Sequence, residues 1–262
     1  MSISRPSIKN TVLLQWLDQY LNAASFKDYS PNGLQVEGAT TITHVVTGVT
    51  ASQALLEAAV EQGADTVLVH HGWFWKNEDE RIRGMKKKRL AFALKHNLNI
   101  FAYHLPLDAH PIVGNNSQLA KILGFTQDLD AEGNPLGIGP GNLIQTGYLE
   151  TPQPLEQVAK NIAEKLQRQP LVVGNAQQLI HRLAWCTGGA QGFMADAIDA
   201  GVDLYISGEA SEPTYHYAQE TDTAYIGAGH HATERYGVKA LGEIIAEQFD
   251  LKVSFLDINN PI

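Results

Sequence analysis

Cysteine is almost absent from this chain of 262 residues, which contains only Cys186. A disulfide framework within the chain is therefore excluded, and this composition fits a reducing compartment. Long apolar runs are absent as well, because no stretch approaches the roughly 18 consecutive apolar residues of a transmembrane helix. The polar segment Met1–Lys9 lacks the apolar core of a secretory signal. We therefore expect a soluble, cytoplasmic protein with no membrane partner.

An excess of positive charge is also lacking, since 19 Lys and Arg residues stand against 28 Asp and Glu residues, a formal net charge of −9. Dedicated nucleic-acid-binding proteins usually carry a basic surface, so this balance argues against a nucleic-acid partner. The basic run Lys86–Arg89 is the local exception, and a solvated helix face is preferred over a polyanion site as its interpretation. Walker A, Gly-x-Gly-x-x-Gly and Gly-x-Ser-x-Gly motifs do not occur, so no nucleotide-cofactor or serine-nucleophile residues are predicted.

The pattern of apolar residues predicts alternating helices and strands. Apolar residues recur at helical spacing over Asn10–Ala24, which predicts an amphipathic helix. Strand and helix patterns then alternate in five segments: His44–Gly48, Ser52–Gln62, Thr66–Val69, Arg89–His96 and Ile100–Tyr103. Leu129–Gly141 is rich in glycine and proline and reads as a connection, after which a helix over Pro154–Gln167 and a strand over Leu183–Thr187 are predicted. This alternation is typical of an α/β fold with a largely parallel sheet.

An internal repeat relates the two halves of the chain. Gly63–His71 in the first half matches Gly201–Glu209 in the second in its pattern of glycine, acid and apolar residues. The next segments, Ile100–Asp108 and Ile226–Glu234, both read as an apolar strand followed by His-x-x-x-carboxylate. Similarity between βα units can arise by chance because their apolar pattern is generic. The repeated histidine and carboxylate at one offset favour an internal duplication.

Side chains of the metal-ligand type follow three predicted strands. They are His70-His71, His104 with Asp108, and His230-His231 with Glu234. Ligands in open α/β sheets sit at the carboxyl ends of strands, and imidazole and carboxylate groups bind divalent transition metals. Six or seven such groups exceed the needs of one tetrahedral ion, so the pattern predicts two metal ions roughly 3.5–4 Å apart with a bridging carboxylate. From the residues alone, either Asp108 or Glu234 could be that bridge.

Two adjacent histidines in a regular strand point to opposite faces. His70 and His71 can serve one site only if the strand ends there, and we expect Gly72 to let the backbone turn. In the second pair the repeat favours His230 over His231, because His230 aligns with His104. Isolated histidines are more often ordinary polar residues, which is the interpretation for five others: His44, His96, His110, His181 and His216.

Other reactive arrangements are weaker. Glu209 aligns with His71, so it is either a group that supports the metal ligands or an exposed acid. The glycine-rich stretch Gly188–Gly192 precedes a predicted helix and favours a tight turn over a phosphate site. Cys186 lies in an apolar strand and is predicted to be a core residue rather than a nucleophile. The aromatic run Trp73–Trp75 is predicted to form the lip of a pocket or an oligomer interface rather than a nucleic-acid platform.

Four segments carry a resemblance to a known family: Pro31–Val36, His70–Gly72, His104–Asp108 and Gly229–Arg235. At these positions the chain resembles the dinuclear-metal-centre family of Ngg-one-interacting-factor-three-like proteins, also called GTP cyclohydrolase I type 2 homologues, and is similar to the enterobacterial-type members. The resemblance implies an α/β fold made of two intertwined, internally duplicated α/β domains with mixed, mostly parallel sheets covered by helices. It places residues 1–128 and 225–262 in the first domain and residues 129–224 in the second. It also implies a toroidal homohexamer.

The resemblance further implies two divalent metal ions per subunit. Carried over by position, the metal ligands are His70, His71, Asp108, His230 and Glu234, with Glu234 as the bridge. No member of this ligand set is substituted. The additional site histidine falls on His104.

The function suggested by these residues is metal-dependent hydrolysis of a nucleotide or another phosphate-bearing small molecule. His104 and Glu209 are the candidate groups for moving protons. The competing hypothesis is a non-enzymatic protein that traffics or inserts metal, or a ring-shaped scaffold. The nitrogen and oxygen ligand set accepts Zn, Fe, Mn, Ni or Mg, so the sequence does not choose the metal.

Overall fold

The computed structural model describes residues 6–262. Within this range the chain forms fourteen strands: β1 (Ile8–Lys9), β2 (Gly33–Val36), β3 (Thr41–Ile42), β4 (His44–Thr50), β5 (Thr66–His71), β6 (Asn99–Ala102), β7 (Thr126–Gln127), β8 (Gly137–Ile138), β9 (Ile144–Pro154), β10 (Leu171–Val173), β11 (Leu179–Trp185), β12 (Leu204–Ser207), β13 (Ala224–Gly227) and β14 (Lys252–Phe255). The same residues form nine α-helices: α1 (Asn10–Tyr20), α2 (Gln53–Glu61), α3 (Gly84–Lys95), α4 (Leu105–Ala109), α5 (Asn115–Leu123), α6 (Leu155–Leu166), α7 (Met194–Asp199), α8 (Glu212–Glu220) and α9 (His230–Phe249).

The described residues form two compact units. The first comprises the residues up to Leu107 together with Gly237–Asn259, and the second comprises Asp108–Tyr236 together with Asn260–Ile262. These bounds differ from the predicted domain boundaries after residues 128 and 224. The difference has a physical reason: β7 pairs with β9 and β13 pairs with β12, so both strands belong to the sheet of the second unit.

The first unit contains a five-stranded sheet with the order β14-β4-β5-β6-β2. Strands β14, β4, β5 and β6 are parallel, and β2 joins the edge antiparallel to β6. The interior strands read as continuous apolar runs, which is typical of a sheet covered on both faces. Helix α2 begins after Ser52, whose hydroxyl accepts a hydrogen bond from the backbone N–H of Leu55. Its side chains Leu55 and Leu56 are completely buried in the core with Val67 and Val69 of β5.

The second unit contains a sheet with the order β10-β13-β12-β11-β9-β7, and β8 also pairs with β9. Its centre is parallel, from β11 through β12 to β13, whereas the outer pairs are antiparallel. Apolar clusters cover both sides of this sheet. One cluster contains Trp185 and Ile206, and the other contains Tyr205 and Met194.

Three neighbouring parallel strands in chain order occur in each unit. They are β4-β5-β6 in the first and β11-β12-β13 in the second. This is the arrangement that the sequence repeat predicts, because Gly63–His71 contains β5 and Gly201–Glu209 contains β12. The predicted mixed α/β fold is confirmed. Among the described helices, none combines the length and apolar character needed to cross a membrane.

Candidate metal centre

The histidine pair of the first unit lies at the carboxyl end of β5. His70 is completely buried, and its Nδ1 atom lies 3.0 Å from the carbonyl oxygen of Tyr103. The Nδ1 atom of His71 lies 3.2 Å from the hydroxyl of Thr50, its register partner on β4. The strand ends at His71, so the two rings approach each other, with centroids 4.5 Å apart.

Gly72 serves this strand end by its small size. A Cβ atom there would clash with the side chain of Gln35 and with the Cβ of Ala102 on β6. The Gln35 carboxamide oxygen accepts the backbone N–H of Trp73 at 2.6 Å, which ties the chain after the histidines to β2. From the sequence Gly72 is expected to let the backbone turn, and close packing against β2 and β6 is what requires glycine here.

His104 brings a third imidazole to the same place. It follows β6 after Tyr103, and its ring centroid lies 5.0 Å from that of His70 and 5.8 Å from that of His71. One ring nitrogen from each of the three histidines lies within 4.8 Å of the others. Three imidazole nitrogens at this spacing form a group that could hold a divalent metal ion.

Asp28 accounts for the orientation of His104. Its Oδ1 atom lies 2.7 Å from Nδ1 of His104, and its side chain is only 3 % exposed. Burial alone would raise the pKa of this carboxyl group. The hydrogen bond and charge of His104, together with donors from Asn32 and Leu105, outweigh burial and lower the pKa to about 2. Asp28 is therefore an ionised, buried partner of His104 at neutral pH.

The second unit supplies a histidine and a carboxylate from the start of α9. His230 and Glu234 are one helical turn apart, so their side chains share a face of the helix. The Nε2 atom of His230 lies 3.3 Å from Oε2 of Glu234, and its Nδ1 atom lies 2.7 Å from Oε1 of Glu209. Burial alone would lower the pKa of His230, but Glu234 and then Glu209 outweigh burial and raise the pKa to about 9. The site therefore favours positive charge between these carboxylates.

Asp108 lies near Glu234 in the same unit. Both carboxylates are buried, and an oxygen of one lies within 4.8 Å of an oxygen of the other. Asp108 Oδ1 accepts hydrogen bonds from Asn115 Nδ2 at 2.9 Å and from the Thr187 hydroxyl at 3.3 Å. Two buried carboxylates at this spacing repel each other unless a cation compensates them. This donor chemistry fits a divalent metal ion.

Gly188 makes room for these ligands at the end of β11. A Cβ atom there would collide with Glu234 and would lie 3.1 Å from Nε2 of His230, and the residue has φ +69°. The backbone N–H of Gly188 donates to the hydroxyl of Thr233, and that of Ala190 donates to the hydroxyl of Ser207. The glycine-rich stretch is therefore a close-fitting turn, the interpretation that the sequence favoured.

The four histidines of these two groups share one feature. In each ring the Nδ1 atom has a protein partner, which fixes the ring and turns Nε2 to the opposite side. The partners are the Tyr103 carbonyl for His70, the Thr50 hydroxyl for His71, Asp28 for His104 and Glu209 for His230. Histidines that bind metals are typically held in this way by a carbonyl or carboxylate at the other nitrogen.

Within each unit the predicted residues come together as follows. The first unit groups His70, His71 and His104, and the second unit groups Asp108 and His230 around Glu234, with Glu209 beside His230. His231 lies in neither group, and its backbone N–H donates to the carbonyl of Ile262. The histidines set aside from the sequence also lie outside the groups among residues 6–262: His44, His96, His110, His181 and His216.

The aromatic residues after the histidine pair lie partly in the core and partly beside the imidazole group. Trp73 is buried, and its indole N–H donates to the carbonyl of Ala51, so it is a core residue rather than part of a lip. Phe74 adopts φ +65°, which is uncommon for an aromatic residue. Trp75 lies edge-on to His104 with ring centroids 5.0 Å apart and forms one side of the imidazole group.

Cys186 is buried in the second unit, as expected of a core residue. Burial raises the pKa of its thiol, and the charges of Asp108 and Glu234 raise it further. A thiol in this environment stays protonated and is a poor nucleophile.

Sequence reasoning missed the residues that hold the ligands. Asn32 lies in Pro31–Val36, one of the segments that carry the resemblance, and Asn115 lies in the first turn of α5 beside Gly114, but neither pattern names a partner. Asp28 lies in none of the sequence motifs described above. Each of these residues acts through a hydrogen bond to a position that is distant in the sequence or on another element, so local spacing contains no signal for it.

Comparison with known proteins covers nearly the whole chain. Residues 8–261 match the family described as Duf34/NIF3 (NGG1p interacting factor 3). A relative from Neisseria meningitidis serogroup B, called GTP cyclohydrolase 1 type 2 homolog, is 54 % identical over 248 residues, which cover 95 % of this chain and 97 % of the relative. A relative of the same name from Escherichia coli K12 is 50 % identical over 255 residues, which cover 97 % and 100 %.

Solved structures show the same fold. One described as protein ybgI, of unknown function, superposes with a TM-score of 0.90 at 49 % identity and covers 97 % of this chain and 100 % of its own. TTHA1606 from Thermus thermophilus gives a TM-score of 0.84 at 32 % identity, with coverage of 97 % and 100 %. Identity at this level over nearly full length reflects common ancestry rather than a shared architecture alone. The chain therefore belongs to the Duf34/NIF3 family.

Proposed function

We propose that this protein is a dinuclear divalent-metal hydrolase that acts on a nucleotide or another phosphate-bearing small molecule. The observation that carries the proposal is the orientation of four imidazoles by partners at Nδ1, together with two buried carboxylates held close to each other. Burying two carboxylates this close to each other is costly unless positive charge offsets them, and a bound divalent ion would supply that charge.

The resemblance to the family supplies the ligand set of this proposal. His70, His71, Asp108, His230 and Glu234 would hold two ions. Bound divalent ions would lower the pKa of a water molecule and polarise the bond that is attacked. The ligand set contains no thiolate, so Zn, Fe, Mn, Ni and Mg are all candidates.

The residues of the chain have separate tasks in the reaction. His104 accepts a proton at Nε2, because Asp28 holds its Nδ1 atom. One carboxylate oxygen of Glu209 is hydrogen-bonded to Nδ1 of His230. The other accepts a hydrogen bond from the carboxamide of Gln191 at 3.3 Å. These contacts let Glu209 keep His230 in position and share its proton. Trp75 shields one edge of His104 from water.

A nucleotide is the first substrate class to test. The relatives in Neisseria and Escherichia coli carry the name GTP cyclohydrolase 1 type 2 homolog. We therefore place GTP at the head of a panel of nucleotides and phosphoesters. Metal-loaded protein should turn over at least one member of this panel, and Asp108→Ala should abolish the turnover.

The control for this experiment is Asp130→Ala, because Asp130 is a partly exposed residue whose carboxylate accepts hydrogen bonds within its own turn. This variant should keep full turnover. A panel on which metal-loaded wild-type protein and Asp108→Ala give the same signal would contradict the proposal of hydrolysis.

Metal transfer is the alternative function. It is favoured by one observation: the side chains of His230 and Glu209 remain 27 % and 38 % exposed, so a ligand is accessible to solvent. A transfer protein should release its metal to a chelator within minutes and should turn over no substrate. Slow release combined with turnover would exclude this alternative.

A further inference from the structure

The loop before β2 contacts both the ring and the backbone of His104. Asp28 Oδ1 lies 2.7 Å from Nδ1 of His104, and its Oδ2 accepts the backbone N–H of Leu105 at 2.9 Å. The carboxamide oxygen of Asn32 accepts the backbone N–H of His104 at 2.8 Å. Asn32 also donates from Nδ2 to Oδ2 of Asp28 at 3.0 Å. Both the ring and the backbone of His104 are therefore held by one short loop.

The hydrogen-bond inventory of Asp28 determines where the proton of His104 sits. An ionised carboxylate only accepts hydrogen bonds. Oδ1 receives the backbone N–H of Tyr29 and the ring of His104, whereas Oδ2 receives Asn32 and Leu105. The ring must therefore donate from Nδ1, so a neutral His104 carries its lone pair on Nε2.

We infer that Asp28, held by Asn32, is a positioning residue that keeps His104 in the tautomer with the proton on Nδ1. Nε2 is then a proton acceptor beside the rings of His70 and His71. Its consequence for catalysis rests on the proposed hydrolase function, but the tautomer itself does not. Asn32 then has a role as well, because it is hydrogen-bonded both to Asp28 and to the backbone of His104.

A purely structural role for Asp28 is the competing explanation. Its bond to the N–H of Leu105 satisfies an amide in the first turn of α4, as a helix cap does. A cap requires one carboxylate oxygen, however, and here the second oxygen is committed to the imidazole. The test must therefore read the proton on His104 and not stability alone.

Asp28→Asn separates the two roles. The carboxamide has one accepting and one donating end, so one side of the former carboxylate must become a donor. The Oδ2 side meets two donors, the backbone N–H of Leu105 and the carboxamide of Asn32, and so needs the oxygen. The Oδ1 side meets one fixed donor, the backbone N–H of Tyr29, and the His104 ring. The NH₂ group then faces His104, the partner that can adapt by moving its proton from Nδ1 to Nε2. A wrong tautomer of this kind removes the lone pair that accepts the substrate proton.

The measurement is the long-range ¹H–¹⁵N correlation spectrum of metal-free protein labelled with ¹⁵N-histidine. The signals of His104 are those that disappear in His104→Gln. We expect the wild type to carry the proton on Nδ1 and Asp28→Asn to carry it on Nε2. A wild-type His104 protonated on Nε2 overturns the inference, and this reading needs no variant at Asp28 to fold.

The matched control is Asp65→Asn in the same unit. Asp65 is also partly buried and accepts several hydrogen bonds, from Thr43, Thr66 and the backbone N–H of His44, but none from an imidazole ring among the described residues. This variant should leave the His104 tautomer unchanged. If Asp65→Asn moved the His104 proton as Asp28→Asn does, the effect would reflect a general loss of packing in this unit, and the inference would fail.

Kinetics give the second reading, on metal-loaded protein with the substrate found in the nucleotide panel. Asp28→Asn should lower kcat on the order of 10²-fold or more with little change in KM, as expected for the loss of a general base. An unchanged kcat in a variant whose tautomer has moved would show that His104 is not the proton acceptor. If no substrate is found, the hydrolase proposal fails, and the tautomer spectrum still decides the inference about Asp28.

Discussion

Glu209 and Glu234 approach the two ring nitrogens of His230 from opposite sides, at 2.7 and 3.3 Å. The pKa of His230, raised to about 9 in the metal-free protein, compares with about 6.5 for an unperturbed histidine. The protonated ring therefore stabilises the folded state. This contribution is fully present below about pH 6.5 and is lost as the pH rises through 9.

Metal-free protein should accordingly lose stability between about pH 6.5 and 9. The contribution of His230 has an upper bound of roughly 3 kcal/mol, which follows from the conversion of the pKa shift to free energy. Urea unfolding at pH 6.5 and 9 measures it. In Glu209→Gln the loss between these two pH values should be smaller, because one of the two charges is gone. An equal loss in both proteins would contradict the assignment of the pKa shift to these carboxylates.

Asn115 provides a test at the residue scale that leaves every proposed ligand in place. Its amide donates to Oδ1 of Asp108 and so restrains that carboxylate. Asn115→Leu should weaken metal affinity roughly 10- to 100-fold, the typical effect of removing a partner of a ligand. Isothermal titration calorimetry measures this affinity on protein from which a chelator has removed the metal. Asn161→Leu removes a bond to the Leu123 carbonyl elsewhere in the unit and should leave the affinity unchanged. Equal affinities for wild type and Asn115→Leu would contradict the role of Asn115.

At the scale of elements, the sites follow from where parallel strands end. The strand β5 ends in the histidine pair, β6 leads into His104, and β13 leads into His230 at the start of α9. Two glycines show how closely the connecting turns fit. Gly188 and Gly201 have nearly the same φ, +69° and +68°, but only Gly188 has atoms within 4 Å of a Cβ position.

A comparison of alanine variants at Gly188 and Gly201 therefore separates backbone strain from steric effects at the site. Gly201→Ala should cost about 1 kcal/mol of stability, the usual penalty for a positive φ, and leave metal binding intact. Gly188→Ala carries the same backbone strain and also pushes against Glu234 and His230. It should lose metal affinity at least about tenfold, as variants that displace ligands or their partners do. Equal metal affinities for the two variants would show that Gly188 does not shape the site.

Helices and strands could be predicted from the sequence better than the pairing of strands or the hydrogen-bond partners of the site residues. The helix α2 and the strands β4, β5 and β6 were visible because apolar periodicity and glycine punctuation are local signals. The antiparallel strands β9 and β10 were not predicted, since their pairing depends on residues distant in the chain. The same limit applies to the site, where the ligand types could be predicted but Asp28, which lies 76 positions from His104, could not.

At the scale of the whole molecule, the two units share a motif but differ in the ligands they carry. The strand β5 ends in His70 and His71, whereas the matching strand β12 is followed by Gly208 and Glu209. The shared strand order is what an internal duplication predicts, whereas the ligand-type residues at the matching strand ends differ. One unit offers three imidazoles, and the other offers a histidine with two carboxylates.

The resemblance to the family implies a hexamer, which is a prediction about the whole molecule. Sedimentation equilibrium should give a mass of six chains, and the mass should not change when the metal is removed if the ring is held by apolar contacts. A monomer across micromolar concentrations would contradict the hexamer. The assembly state does not bear on which residues bind metal, so the two predictions can fail separately.

The metal content of the purified protein tests the central claim most directly. Protein purified without chelator should contain two divalent ions per chain by elemental analysis. Asp108→Ala should contain fewer, while Glu57→Gln, a change on the exposed face of α2, should keep both. Wild-type protein that binds no divalent ion, as purified or after incubation with Zn, Fe, Mn, Ni or Mg, would contradict the account.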